Sequence, residues 1–168
     1  MPDPAVSELC REFLGSARVF AWSVREVLER GVLQEIGAKK LTFSQLKLLY
    51  LVAHTDGFTT IGDAAAFLGV DKLVRRRYLR RAEIQDNRRS SQLSLTETSR
   101  KLLAAYEAVR DERAAQVFAD FSPEELRRTA ELLDRLAGAF VQQQTDPDHV
   151  CLQCEIYYRE KCRFCDLG

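Results

Sequence analysis

Four of the five cysteines in this 168-residue chain stand in its last eighteen residues, as Cys151-Leu-Gln-Cys154 and Cys162-Arg-Phe-Cys165 with seven residues between the pairs. Two such knuckles bring four thiolates within reach of one tetrahedral ion, and the spacer is long enough to reverse the chain. Zinc is the leading expectation, because a closed four-thiolate site folds a segment too small to bury a core of its own. An iron-sulfur cluster uses the same donors and is the alternative. A reversible disulfide, which would make the tail a redox sensor, stands third, and metal-free thiols are the blandest reading. His149 could replace one cysteine but is better read as a capping or solvated residue. A closed site leaves no coordination position for substrate, so the cysteines point to stapling or sensing.

The second constellation is cationic. The whole chain is neutral, with 25 basic and 25 acidic side chains, but the average hides a cancellation. Between Asp71 and Gln92 stand Lys72, Arg75, Arg76, Arg77, Arg80, Arg81, Arg88 and Arg89 against Asp71, Glu83 and Asp86, a local charge of +5. The rest of the chain is correspondingly acidic. Such asymmetry signals a polyanionic partner, with a solvated helix face as the plain alternative.

The elements that must carry these groups read as helices. Leu9, Phe13, Ala17, Phe20, Val24 and Val27 recur every three or four positions and predict a long first helix ending before the punctuation of Gly31 and Gly37. Thr42-Phe-Ser-Gln45 offers a capping box for a helix to about His54, striped by Leu46, Leu49, Tyr50 and Ala53. Asp56-Gly57 makes a turn, and a short helix bearing Ile61, Ala65 and Leu68 ends at Gly69. The spacing of Val70, Val74, Tyr78 and Ala82 then predicts a helix from about Val70 to Ile84, with Lys72, Arg75, Arg76 and Arg80 facing outward. Ser90 to Leu95 reads as a short strand, and Thr96 caps a helix anchored by Leu102, Leu103, Tyr106, Val109 and Val117. Ser122-Pro123-Glu124-Glu125 opens the last helix, striped by Leu126, Ala130, Leu133, Ala137 and Phe140. The first and last two helices need a partner for their apolar stripes, and a helical dimer interface supplies one. Cys10 reads as a small core or interface residue, and Trp22 as a dimer contact.

In order and spacing, Leu41-Thr-Phe-Ser-Gln-Leu46, Thr60-Ile61 through Gly69-Val70, Asn87-Arg88-Arg89, Leu93-Ser-Leu-Thr-Glu97 and Phe121-Ser-Pro-Glu-Glu-Leu126 resemble the MarR family of winged helix-turn-helix transcription regulators. The resemblance implies a mainly α fold: a helical dimerisation region (1–40 and 96–145), a winged helix-turn-helix (41–95) and the cysteine tail (146–168) appended. It implies a homodimer acting as a repressor on a pseudo-palindromic duplex operator, read by Lys72, Arg75, Arg76, Arg77, Arg80, Arg88 and Arg89, and it leaves a small-molecule effector as a further partner. Two positions depart from the family: Asn87 replaces the Asp that braces the wing arginine, and Ser99 replaces a glycine. The span from recognition helix to return strand is also about nine residues short of a wing hairpin. That predicts either a clipped wing, leaving an interaction or sensing module with weakened DNA binding, or a chain lacking its wing tip.

Other classes are excluded. The chain has no Gly-rich phosphate loop, no H-E-x-x-H, and two histidines with no nucleophile spaced to them, so no enzyme is expected. No apolar run approaches the roughly 18 to 20 residues of a membrane span, and Met1-Pro-Asp-Pro4 does not open a signal peptide, which predicts a cytoplasmic location.

Overall fold

The computed structural model describes residues 4–54, 69–84 and 87–143. Helix α1 (Pro4–Ser23) continues through a π-helical segment (Val24–Arg30) into the short α2 (Gly31–Glu35), followed by α3 (Phe43–His54) and α4 (Val70–Arg75). Strands β1 (Leu79–Ile84) and β2 (Asn87–Leu95) form an antiparallel hairpin, and α5 (Glu97–Val117) and α6 (Pro123–Val141) complete the chain.

Helix starts follow local chemistry. At α3 the Thr42 hydroxyl accepts from the Gln45 N–H at 3.3 Å while Gln45 Oε1 accepts from the Thr42 N–H at 3.2 Å, the expected reciprocal box. Thr96 caps α5 through the Ser99 N–H, and α6 opens with Ser122, Pro123 and Glu125 in a complete box. The exposed Glu125 carboxyl lies below its ordinary pKa because it accepts from the Ser122 hydroxyl and N–H.

One core gathers Val32 and Leu33 of α2, Leu46, Leu48, Leu49, Tyr50 and Val52 of α3, Leu73 of α4, Leu79, Leu93 and Leu95 of the hairpin, and Leu103 and Tyr106 of α5. The long outer helices are different. Among the described residues, neither α1 nor α6 packs extensively against a non-adjacent element of the chain. Phe20, Trp22, Leu132 and Phe140 are exposed, and so are Leu9 and Phe13. Cys10 is exposed too, so within the chain it is not a core residue.

Two expectations are corrected. The helix expected over 70–84 stops at Arg75, and the chain turns into β1 instead. Arg76 and Arg77 close α4: Arg77 N–H donates to the Val74 carbonyl and Tyr78 N–H to the Leu73 carbonyl, both at 2.9 Å, a Schellman motif with Arg77 left-handed at φ 61°. Strand β1 therefore lies inside the span expected as helix, and β2 is longer than the strand expected over Ser90–Leu95. Leu79 pairs with Leu95, Arg81 with Leu93 and Ile84 with Asn87.

Candidate nucleic-acid interface

Lys72, Arg75 and Arg76 are spaced i, i+3 and i+4 across the end of α4, opposite the fully buried Leu73, and all three are exposed. Arg77 is exposed in the turn, and Arg80 is exposed on β1 rather than on α4. In antiparallel register Arg80 opposes Ser94 while Leu79 and Arg81 alternate onto the face of Leu93 and Leu95. Arg88 and Arg89 lie on β2 near the hairpin tip, where the pairing jumps from Glu83 with Ser91 to Ile84 with Asn87. The structure thus brings the cationic residues onto one helix end, one turn and one hairpin.

Several side chains hold this surface in shape. Arg76 Nη1 donates to the Lys40 carbonyl at 2.9 Å, tying the end of α4 to the loop before α3. Arg81 pairs with Asp71 at 3.2 Å and joins β1 to the first turn of α4. The Thr96 hydroxyl donates to the Arg77 carbonyl at 2.6 Å, and the buried Ser99 hydroxyl lies 2.7 Å from the Tyr78 carbonyl. Ser99, a departure from the resembled family, is therefore built into the wing root. Sequence reasoning missed the roles of Arg81, Ser99 and the Lys40 carbonyl, because contacts between residues far apart in sequence leave no periodic signal. Gly69 is left-handed at φ 99°, and a Cβ there would stand 2.5 Å from Gln45 Nε2, so only glycine lets the turn into α4 approach the capping glutamine.

Behind the cationic surface, a cleft of about 460 Å³ opens between the end of α3, the end of β2 and α5, lined by Tyr50, His54, Leu95, Arg100, Leu103 and Glu107 among others. Tyr50 stacks with His54 at 6.4 Å between ring centroids and meets Tyr106 edge-on at 6.5 Å. Burial and the neighbouring Glu107 carboxylate push the Tyr50 phenol far above its ordinary pKa, against the opposing charge of Arg110.

Cys151, Cys154, Cys162 and Cys165 lie outside the described residues, as does His149. Among the described residues no three His, Cys, Asp or Glu side chains converge to hold a metal ion. No described helix is long and apolar enough to cross a membrane.

No protein-family model and no curated protein sequence matches the chain. Solved structures do match its fold. A MarR transcriptional regulator from Methanosarcina mazei aligns with a TM-score of 0.57 at 19% identity, covering 79% of this chain and 99% of that one. The heme sensor protein PefR from Streptococcus agalactiae, in complex with heme, aligns at 0.55 and 20% identity over 87% of this chain and 99% of its own. A mutant MepR from S. aureus bound to an oligodeoxyribonucleotide aligns at 0.51 and 19% identity over 76% and 97%. The chain has the MarR-like winged-helix fold, mainly helical with a two-stranded wing.

Proposed function

We propose that this protein is a homodimeric, sequence-specific DNA-binding transcriptional repressor rather than an enzyme, working in the cytoplasm and carrying a C-terminal zinc module. The observation that carries the reading is the exposure of Lys72, Arg75, Arg76, Arg77 and Arg80 on one helix end and wing, in a fold that in the MepR structure holds an oligodeoxyribonucleotide. Arg88 and Arg89 extend the same charge along the hairpin. Exposed apolar residues on α1 and α6 support self-association, since contiguous apolar surface of this kind marks an interface. Two copies related by a two-fold axis would present two wings to a pseudo-palindromic operator. The paired hairpin supports this reading over an interaction module that has lost its wing.

The test is salt dependence. Were Lys72, Arg75, Arg76, Arg77 and Arg80 of each protomer to neutralise phosphates, log K against log salt would slope at about −9, and Arg76→Ala would make it shallower by about 2 per dimer. A slope near zero, or full retention of affinity by Arg76→Ala, would refute the assignment. For the tail, the cysteine spacing supports zinc. Metal analysis of the full chain should give about one zinc per protomer and no visible absorbance. A coloured protein containing iron would transfer the site to an iron-sulfur cluster. A small-molecule effector fits the cleft beside Tyr50 and Glu107, whose size suits such a ligand.

A further inference from the structure

The first helix does not run straight into the wing core. Residues Val24–Arg30 are wound as π-helix, and the Gly31 N–H reaches back to the Glu26 carbonyl, one residue further than an α-helical bond. Such a turn is where a helix bends and where its carbonyls leave the regular ladder. Side chains of α5 meet those carbonyls. Arg113 Nη1 donates to the Val27 carbonyl at 3.0 Å, and the hydroxyl of the buried Tyr106 donates to the Leu28 carbonyl at 3.5 Å. Arg113 Nη2 also donates to the Glu35 carboxylate, so one guanidinium spans from the π segment to the last residue of α2.

Gly31 belongs to this arrangement. Its φ of −59° and ψ of −43° are ordinary helical values that any residue adopts, so backbone freedom is not why glycine stands there. A Cβ at this position would lie 2.6 Å from Arg113 Nη1 and 3.2 Å from the Glu26 carbonyl. The glycine makes room for the guanidinium.

We propose that Arg113 is a positioning residue for DNA recognition: by clasping the π joint to α2 it fixes the angle at which α1 leaves the wing core. Because among the described residues α1 packs extensively on nothing beyond that segment, the angle at the joint sets how far apart a dimer holds its two wings. The clasp is thereby a determinant of operator half-site spacing. This inference rests on the dimeric DNA-binding reading above. One inserted base pair moves a half-site by about 3.4 Å and rotates it by about a tenth of a turn, so a rigid joint discriminates spacings and a loose one adapts.

The experiment starts with an operator selected from randomised duplex DNA by the full-length wild type. Affinities for that operator and for versions with one base pair added or removed are compared across wild type, Arg113→Ala, Arg113→Lys and Gly31→Ala, and hydrogen exchange is followed over residues 24–35. Wild type should prefer the selected spacing by about tenfold, the scale of one mismatched base pair. In Arg113→Ala and Gly31→Ala the preference should fall below about threefold with faster exchange over 24–35, and Arg113→Lys should lie between, since an ammonium cannot fork to two partners. Gly31→Ala separates positioning from plain helix stability, because alanine is the better helix former yet displaces the guanidinium. Unchanged spacing preference and unchanged exchange in Arg113→Ala overturn this inference alone. Failure of the wild type to bind any duplex overturns the DNA reading and this inference with it.

Discussion

Arg77→Gly should stabilise the protein while weakening its grip on DNA. Two helices here end in the same Schellman geometry. After α2, Gly37 is left-handed at φ 74°, its N–H bonding the Gln34 carbonyl and the Ala38 N–H the Leu33 carbonyl. After α4, Arg77 occupies the equivalent position at φ 61°. A side chain in that conformation costs about 1–2 kcal/mol, whereas glycine adds about 0.5–1 kcal/mol of unfolded-state entropy. The exchange should therefore gain about 0.5–1 kcal/mol, or a Tm rise of about 2–4 °C at the upper end for a chain of this length. Arg77→Ala serves as control, since it removes the charge and keeps the left-handed Cβ, so its Tm should not rise. Both variants should shift the salt dependence of DNA binding alike, by about 2 in slope per dimer. Differential scanning calorimetry and fluorescence anisotropy read the two effects separately. A lower Tm for Arg77→Gly than for wild type would refute the strain argument, and unaltered DNA affinity in both variants would remove Arg77 from the interface. Should both effects appear, the arginine is a case of backbone strain kept at a working surface.

Thr96→Val removes the N-cap of α5 together with the hydroxyl bond to the Arg77 carbonyl, and should cost about 1–2 kcal/mol in chemical denaturation with little change in m-value. Ser99→Ala should cost less, about 1 kcal/mol, because the Tyr78 carbonyl keeps its bond from the Thr96 N–H at 3.2 Å. Tyr50 titrates at its ordinary value near 10.0 when unfolded and above it when folded, so its neutral phenol contributes stability that is complete below that pH and lost as pH rises through and beyond it. Thermal unfolding should show Tyr50→Phe losing less stability than wild type between pH 9 and pH 11; equal losses would show that the phenol does not control the alkaline limb.

What could be read from the chain beforehand was the chemistry that acts over three or four residues. The Thr42–Gln45 and Ser122–Glu125 boxes, the Thr96 cap and the buried stripe of α3 depend on near neighbours, and each formed where its residues stood. The end of α4 was illegible for a specific reason. Arg77 fills the left-handed position where a glycine would have announced a stop, and Val70, Val74, Tyr78 and Ala82 keep helical spacing straight through the turn. Strand β1 was thereby hidden inside a supposed helix. Gly31 misled in the opposite direction: it reads as punctuation but sits inside continuous helix, where it is needed for space. The apolar stripe of α1 was visible, and the packing among the described residues explains why it could not be assigned to a core.

The wing root and the joint of the first helix are both held by α5. Its first turn holds the wing root, through Thr96 and Ser99 on the carbonyls of Arg77 and Tyr78. Its later turns hold the joint of the first helix, through Tyr106 on Leu28 and Arg113 on Val27 and Glu35. Ser99 and Arg113 are separated by about 21 Å along one helix axis, and the cleft beside Tyr50 and Glu107 opens against the stretch between them. A helix transmits a displacement along its axis with little internal give, so a ligand that pushed α5 from this cleft would act on the wing root and the joint together. In the proposed dimer, wing orientation and dimer geometry would then be one mechanical variable rather than two, and a variant that loosens either end of α5 should weaken the coupling of an effector to DNA.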